Sequence, residues 1–522
     1  MKIPPNDTLP NDIDALKQLI LSQQGVLQSH QQQLIKKQAR IQFLEEQILL
    51  FRHRQFGKSS EKSTQQAEFF DEVENETTPD AVDCAEPIVP VQPKPKQSKS
   101  GRKPLPNTLP RVRLEYDIPA HEKICQCGCQ KICIGEDTSE QLDIIPAVIQ
   151  VLVHARKKYA CQSCENGILT AALPVQPIPK SNASPGLLAH IAIAKYQDGL
   201  PLYRMETIFS RLGIHLPRNT QANWMIKCSE LLQPLYNLLN DQLLGSGYIH
   251  MDETRVQVLK EPDKPADSLS YMWVRRTGDK EHPIVLFDYN PRRSAAVVAL
   301  LLGDYKGYLQ TDDYVGYHKT GASDGITHLG CMAHARRKFI EAQQVAPSKK
   351  GKVSKADMAV NLIKKLYLIE AEIKSKSVEE RYQIRQEKSV PQLIELKLWL
   401  DKALVQTPPK TKIGIALSYL HKNWEKLIAY TTDGRLTIDN NPVENAIRPF
   451  AIGRKNWMFS NSQAGAKASA LLYSVIETAK ENGLEPYAYL RTLFTRLPRC
   501  ETVENFEALL PWNIEIESII KS

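Results

Sequence analysis

The chain has 522 residues, 42% of them hydrophobic and 24% charged, with a formal net charge of +8. Such a length exceeds what one core fills, so two to four globular domains are expected. The opening MKIPPNDTLPNDID lacks a basic segment followed by an apolar run, and no stretch reaches the roughly 18 apolar residues of a membrane span, so neither a signal peptide nor a membrane span is expected.

The protein is therefore expected in the cytoplasm, where its 10 cysteines read as metal ligands or buried thiols rather than disulfides. Basic clusters at 52–62, 94–113, 336–338 and 448–455 suit a polyanion partner.

Residues 1–62 open with an amphipathic helix. Ile13, Ile20, Leu27, Leu34, Ile41 and Ile48 recur every seventh position, the seam of a coiled coil that joins copies of the chain. The companion seam is polar in its middle, at Gln23, His30 and Lys37, which weakens the zipper. Residues 63–110 hold an acidic block and then a Pro- and Lys-rich block, neither able to bury a core, and read as a tether.

Residues 111–175 carry CQCGCQKIC and CQSC. A tetrahedral thiolate site needs four ligands, and the chosen set for one structural Zn²⁺ is Cys125, Cys127, Cys161 and Cys164, with Cys129 as alternate. Residues 180–246 read as three helices. The first starts at Ser184–Pro185, and the second and third meet through LGIHLPRNT in a helix-turn-helix-like arrangement, with Asn219 or Thr220 near the third cap. A plain helical bundle is the alternative for that arrangement.

From residue 247 the period changes to strands. GYIHMDETRVQVL, SYMWVRR and PIVLFDYN are followed by a helix over SAAVVALLLG and strands GYLQTDDY and GITHLGCM. This order matches a ribonuclease H-like α/β core in 247–332. A helical insertion over 333–438 delays the last core segment, 439–482, and a helical tail fills 483–522. The fold class is thus α+β and multidomain.

Three acids stand out: Asp252 on the first strand, Asp312 at the end of the fourth, and Glu444 in the first turn of a helix opened by Asn441 and Pro442. Carboxylates from separate elements are what two hard Mg²⁺ (or Mn²⁺) ions require, and such a pair cuts or joins phosphodiesters. Alternation along a strand lets only one of Asp312 and Asp313 face the site.

Several strings in the same order resemble one family. RQFGKSSEK, IGEDTSEQLDIIPA, RKKYACQSCENG, ASPGLLAHIAIAKYQDGLPLYRMETIFSRLGIHLPRNT, MDET, LQTDDYVGY, CMAHARRKF and NNPVENAIRPFAIGRKNWMF are similar to segments of insertion sequence 66 transposases. The resemblance implies an Asp-Asp-Glu transposase in which Asp252, Asp312 and Glu444 bind metal. It implies double-stranded DNA partners, namely the element's terminal inverted repeats and target DNA, together with accessory proteins of the same element. One departure is Asp313, where the family usually has Gly. A transposase-derived DNA-binding regulator and a structure-specific nuclease are the alternative functions.

Arg448, Arg454 and Lys455 are candidates to hold the DNA backbone, as are Arg336, Arg337 and Lys338. Trp457 is a candidate to stack on an unpaired base, with core packing as its alternative. Cys331 and His334 have a Cys-x-x-His spacing, read as packing at a strand–helix junction in preference to a soft-metal half-site.

Overall fold

A computed structural model describes residues 149–160, 168–278, 281–345 and 353–514, together with positions 12–14, 17–18, 21–34, 37 and 41. The zinc candidates Cys125, Cys127, Cys129, Cys161 and Cys164 lie outside the described residues. The N-terminal stretch is helical over 21–34, and its seam residues Ile13, Leu27, Leu34 and Ile41 are all exposed. Within the compact unit 74–173, β1 (Lys158–Ala160) pairs antiparallel with β2 (Ile168–Thr170).

Residues 174–522 belong to a second compact unit. It opens with α1 (Pro185–Tyr196), α2 (Leu202–Arg211) and α3 (Arg218–Gly245). Ser184 caps α1 by accepting the Leu187 N–H at 3.2 Å, with Pro185 in the first turn, where its missing N–H costs nothing. At α3 the cap differs from expectation: Pro217, not Asn219 or Thr220, precedes the helix and no side chain bonds its first turn.

The sheet comprises β3 (Tyr248–Lys260), β4 (Leu269–Thr277), β5 (Val285–Asn290), β6 (Gly307–Gln310) and β7 (Ile326–Leu329). Its order is β5-β4-β3-β6-β7, with antiparallel pairs β3–β4 and β4–β5 and parallel pairs β3–β6 and β6–β7. Parallel neighbours need crossovers, supplied by α4 (Ala295–Leu302) before β6 and α5 (Val315–Gly321) before β7. The central strand β3 is buried without interruption from Tyr248 to Thr254, as a strand covered on both faces must be.

The segment after β7 is helical, as its sequence suggests. It contains α6 (Met332–Val345), α7 (Lys355–Ile373), α8 (Val378–Ile384), a π-helical stretch (Arg385–Ser389), α9 (Val390–Val405), α10 (Lys412–Lys422) and α11 (Trp424–Ile428). These helices build their own hydrophobic core around Phe339, Leu366, Leu396, Leu400 and Leu417. The chain then returns through α12 (Asn441–Trp457), a short strand β8 (Ser460–Ser462) that extends β3 in parallel, α13 (Gln463–Glu481) and α14 (Pro486–Arg496). Strand β8 is not foreseen in the sequence reading.

Edge strand β5 leaves N–H groups unpaired by the sheet, and α13 covers them: Ser474 Oγ accepts from Phe287 N at 2.7 Å and Thr478 Oγ1 from Val285 N at 3.0 Å. Helices α1–α3, the sheet and α12–α14 share one core. Tyr196 of α1 meets Tyr473 of α13 edge-on at 5.1 Å. The step from 246 to 247 is therefore a change of secondary structure rather than a gap between cores, and α14 packs back on α1.

Candidate active site

Asp252 and Glu253 are neighbours on β3, so their side chains leave opposite faces of the sheet. Register fixes which is which. Asp252 lies opposite Val274, which lies opposite Phe287, and Phe287 meets Phe450 of α12 at 6.2 Å. Asp252 thus shares the face covered by α12. Glu253 lies opposite Trp273, whose ring meets Tyr317 of α5 at 6.1 Å. The Glu253 carboxylate accepts the Tyr317 hydroxyl and pairs with Arg293.

Asp312 and Asp313 follow β6, and the structure separates them. Asp312 Oδ1 accepts the Tyr314 N–H at 2.9 Å, closing a local turn. Its negative charge acts on both Asp252 and Glu253. Asp313 instead faces His318 Nε2 at 3.0 Å and Lys422 Nζ at 3.8 Å. The turn is clamped from outside: the Arg293 guanidinium lies 3.7 Å from the Tyr314 ring centre, and the Tyr314 hydroxyl donates to the Arg293 carbonyl at 2.9 Å.

Glu444 stands in the first turn of α12, where the N-terminal end of the helix favours a carboxylate. The residue that sets its position is Asn440, the N-cap, which sequence reasoning did not single out. Its Oδ1 meets His250 Nδ1 at 3.0 Å, its Nδ2 donates to the Met251 carbonyl at 3.2 Å, and its backbone N–H donates to Cys331 Sγ at 3.2 Å. One fully buried side chain therefore ties α12 to β3 immediately beside Asp252. Burial drops the His250 imidazole to about 3, so it stays neutral and packs as an uncharged spacer. Only a signal such as the doubled Asn in DNNP hints at this role from sequence.

The charges of Glu253, Asp312 and Glu444 all reach Asp252, and the acids of this region differ in their partners. Glu253 has Arg293 and Asp313 has His318 and Lys422, whereas Asp252, Asp312 and Glu444 form no Lys or Arg ion pair among the described residues. Burial pushes the Asp252 carboxyl well above the usual carboxylate range, and the charges of Glu253, Asp312 and Glu444 push it further. A buried acid repelled by three others fits a divalent oxygen-binding cation, whose charge would reverse that penalty.

The proposed DNA-contacting residues divide. Arg448 is half-buried and Lys455 exposed on α12. Arg454 is half-buried, and its Nη1 donates to Thr254 Oγ1 at 3.2 Å and to the Arg255 carbonyl, which links α12 to β3. The half-buried Trp457 ring packs edge-on against Phe450 at 5.3 Å with Lys195 Nζ 5.4 Å from it, the packing alternative of the sequence reading. Arg336, Arg337 and Lys338 are half-buried on α6, with Lys338 Nζ 4.7 Å from the Tyr419 ring of α10. On α3, Arg218, Asn219, Asn223 and Lys227 form an exposed polar face on the helix after the turn. No described helix is long and apolar enough to cross a membrane.

Comparison with known proteins follows the same geography. Residues 180–468 match the model described as Transposase IS66 family, and 474–512 match the IS66 C-terminal element. Residues 122–165 match the zinc-finger binding domain of transposase IS66, which supports zinc binding there. Residues 43–114, which span the end of the expected helix and the expected tether, match the module described as Transposase C of IS166 homeodomain. Among curated proteins of Sinorhizobium fredii, the chain is 32% identical to uncharacterized protein y4qI over 98% of each chain. It is 33% identical to uncharacterized protein y4jD over 80% of this chain and 82% of the relative. No solved structure matches it.

Proposed function

The chain belongs to the IS66 transposase family, and from that premise we propose that it cuts DNA at the ends of its own mobile element and joins the freed 3′-OH to target DNA. The observation that carries the reading is that Asn440 ties the first turn of α12, which bears Glu444, to β3 beside Asp252, where the charges of Glu444 and Asp312 reach Asp252 and none of the three has a Lys or Arg ion pair among the described residues. The order β5-β4-β3-β6-β7, with three antiparallel strands followed by two parallel crossovers, supports assigning the core to the ribonuclease H-like class.

Asp252, Asp312 and Glu444 would hold two Mg²⁺ or Mn²⁺ ions, which activate the attacking oxygen and stabilise the leaving one. Asn440 fixes the approach of Glu444, while the Arg293–Tyr314 clamp fixes the turn that carries Asp312. Because Asp313 is engaged by His318 and Lys422, the residue that departs from the family pattern adds no free carboxylate to the pocket. Arg448, Lys455 and the basic residues of α6 are the groups proposed to hold phosphates, which fix register without reading sequence. The exposed face of α3 is the candidate reader of the terminal repeats.

The zinc ligands proposed within 122–165 are Cys125, Cys127, Cys161 and Cys164, with Cys129 as alternate. The exposed seam through Ile13, Leu27, Leu34 and Ile41 suits a zipper between copies of the chain, and two element ends need two protomers. Deleting residues 1–50 is expected to leave a monomer by light scattering that no longer pairs element ends. A truncated protein that pairs ends as well as the full chain removes the zipper from the account.

The decisive assay incubates the full-length protein with Mg²⁺ and DNA carrying the element's ends. Strand nicking at the ends followed by joined products is expected. Tight end binding with no cleavage in either Mg²⁺ or Mn²⁺ overturns the catalytic reading.

A further inference from the structure

We propose that Cys331, His334 and Glu444 form a separate Zn²⁺ site that borrows Glu444 from the acidic pocket. Cys331 directly follows β7 and His334 lies in the first turn of α6, so a spacing of three brings both donors to the same side of the junction. Glu444 arrives from the first turn of α12. The sulfur, an imidazole nitrogen and a carboxylate oxygen all lie within 4.8 Å of one another, the one such group of three among the described residues.

Three details favour a shared ion over simple packing. First, His334 Nδ1 and Glu444 Oε1 are 3.8 Å apart, too far for a hydrogen bond. Two ligands on one tetrahedral Zn²⁺, with bonds of about 2.0–2.2 Å, stand roughly 3.3–3.6 Å apart, so a small closure completes the site. Second, those same two atoms are shielded from water and have no hydrogen-bond partner. Unsatisfied buried polar atoms are costly, and here a pair of them faces one point. Third, the Cys331 sulfur receives backbone N–H groups from Asn440, at 3.2 Å, and from His334. Amides directed at a sulfur are the outer contacts that stabilise a metal-bound thiolate.

The donor set selects the metal. Sulfur, nitrogen and one carboxylate oxygen suit Zn²⁺, whereas Mg²⁺ requires oxygen. Binding exchanges the thiol proton for the cation and releases that proton to solvent. Three protein ligands leave one coordination position open. Occupation also engages the one carboxylate of Glu444, so Zn²⁺ at this site competes with the use of Glu444 in the pocket. The effect on cleavage rests on the catalytic reading above, while the binding of zinc does not.

Metal content after equilibration with micromolar Zn²⁺ and dialysis tests the binding in the full-length protein. Wild type is expected to retain one equivalent more than Cys331→Ser and one more than His334→Gln, the cysteine module being common to all three. Replacing Zn²⁺ by Co²⁺ should give wild type extra thiolate-to-cobalt absorption that Cys331→Ser lacks. Two variants with matched circular dichroism guard against a folding defect in either. Equal metal content in all three proteins overturns the site. In the cleavage assay, Zn²⁺ added over Mg²⁺ is expected to inhibit wild type at least tenfold more than His334→Gln. Equal inhibition overturns the competition. If no protein cleaves DNA yet the extra equivalent persists, the catalytic reading fails and the zinc site stands.

Discussion

Asp252→Asn is expected to abolish strand cleavage and joining while leaving binding of the element's ends intact. The same substitution should make the metal-free protein more stable. Asp252 sits 8% exposed on the central strand, and the neighbouring acids oppose its ionisation. Asparagine keeps the shape and can still accept the Glu253 N–H that Asp252 Oδ1 takes at 2.7 Å, but it carries no charge. Relief of that repulsion raises the melting temperature, by about 1–2 °C for each kcal/mol released in a chain unit of this size.

Activity moves the other way. A cation held by three carboxylates supplies several kcal/mol of transition-state stabilisation, so loss of one ligand should cost on the order of 10³-fold or more in rate. Asp312→Asn and Glu444→Gln should match it in rate. Asp313→Asn should not, because its partners are His318 and Lys422. Thermal melts with and without Mg²⁺ and a nicking assay read both effects. Cleavage by Asp252→Asn at wild-type rate would remove it from the metal site.

Arg385→Ala is expected to destabilise the protein by about 3–5 kcal/mol, the range for removing one partner of a buried, hydrogen-bonded charge pair. Arg385 is fully buried in the π-helical stretch between α8 and α9. Its Nε and Nη2 donate to the two oxygens of Glu370 at 2.9 and 2.6 Å. Its Nη1 donates to the Tyr430 and Asp433 carbonyls, both at 2.9 Å, and Nη2 also reaches the Leu436 carbonyl at 2.8 Å. Alanine strands the Glu370 carboxylate and the Tyr430 and Asp433 carbonyls together, while the Leu436 carbonyl keeps Arg381 at 3.2 Å.

The carbonyls matter for function because 430–436 is the path by which the chain leaves the helical insertion and enters α12. Releasing it should loosen Glu444 and lower cleavage even below the unfolding transition. Arg385→Lys keeps the charge but not the planar fork, so an intermediate loss is expected. Chemical denaturation of the three proteins measures this, and a loss under 1 kcal/mol for alanine contradicts the account.

Much of the architecture was legible before any coordinates. The β-branched and aromatic content of YIHMDETRVQVL and the 3.6-residue period over the insertion report local backbone geometry, and local geometry is written in neighbouring residues. The caps at Ser184 and the Pro in the first turn of α12 were readable for the same reason. So were the three acids, because each sits in its own strong local context.

The chain order alone therefore determined the element sequence, the family resemblance and the identity of the candidate acids. Folding decided what those acids face. Asp312 and Asp313 are chemically identical neighbours, and only the approach of Arg293 to one side and Lys422 to the other separates them. Asn440 meets His250 across 190 positions, and Arg454 reaches the Arg255 carbonyl across 199, so a cation that the sequence offers to DNA also bonds the sheet. Whether a charged side chain is spent or free depends on partners far along the chain, and periodicity carries no record of partners at that range.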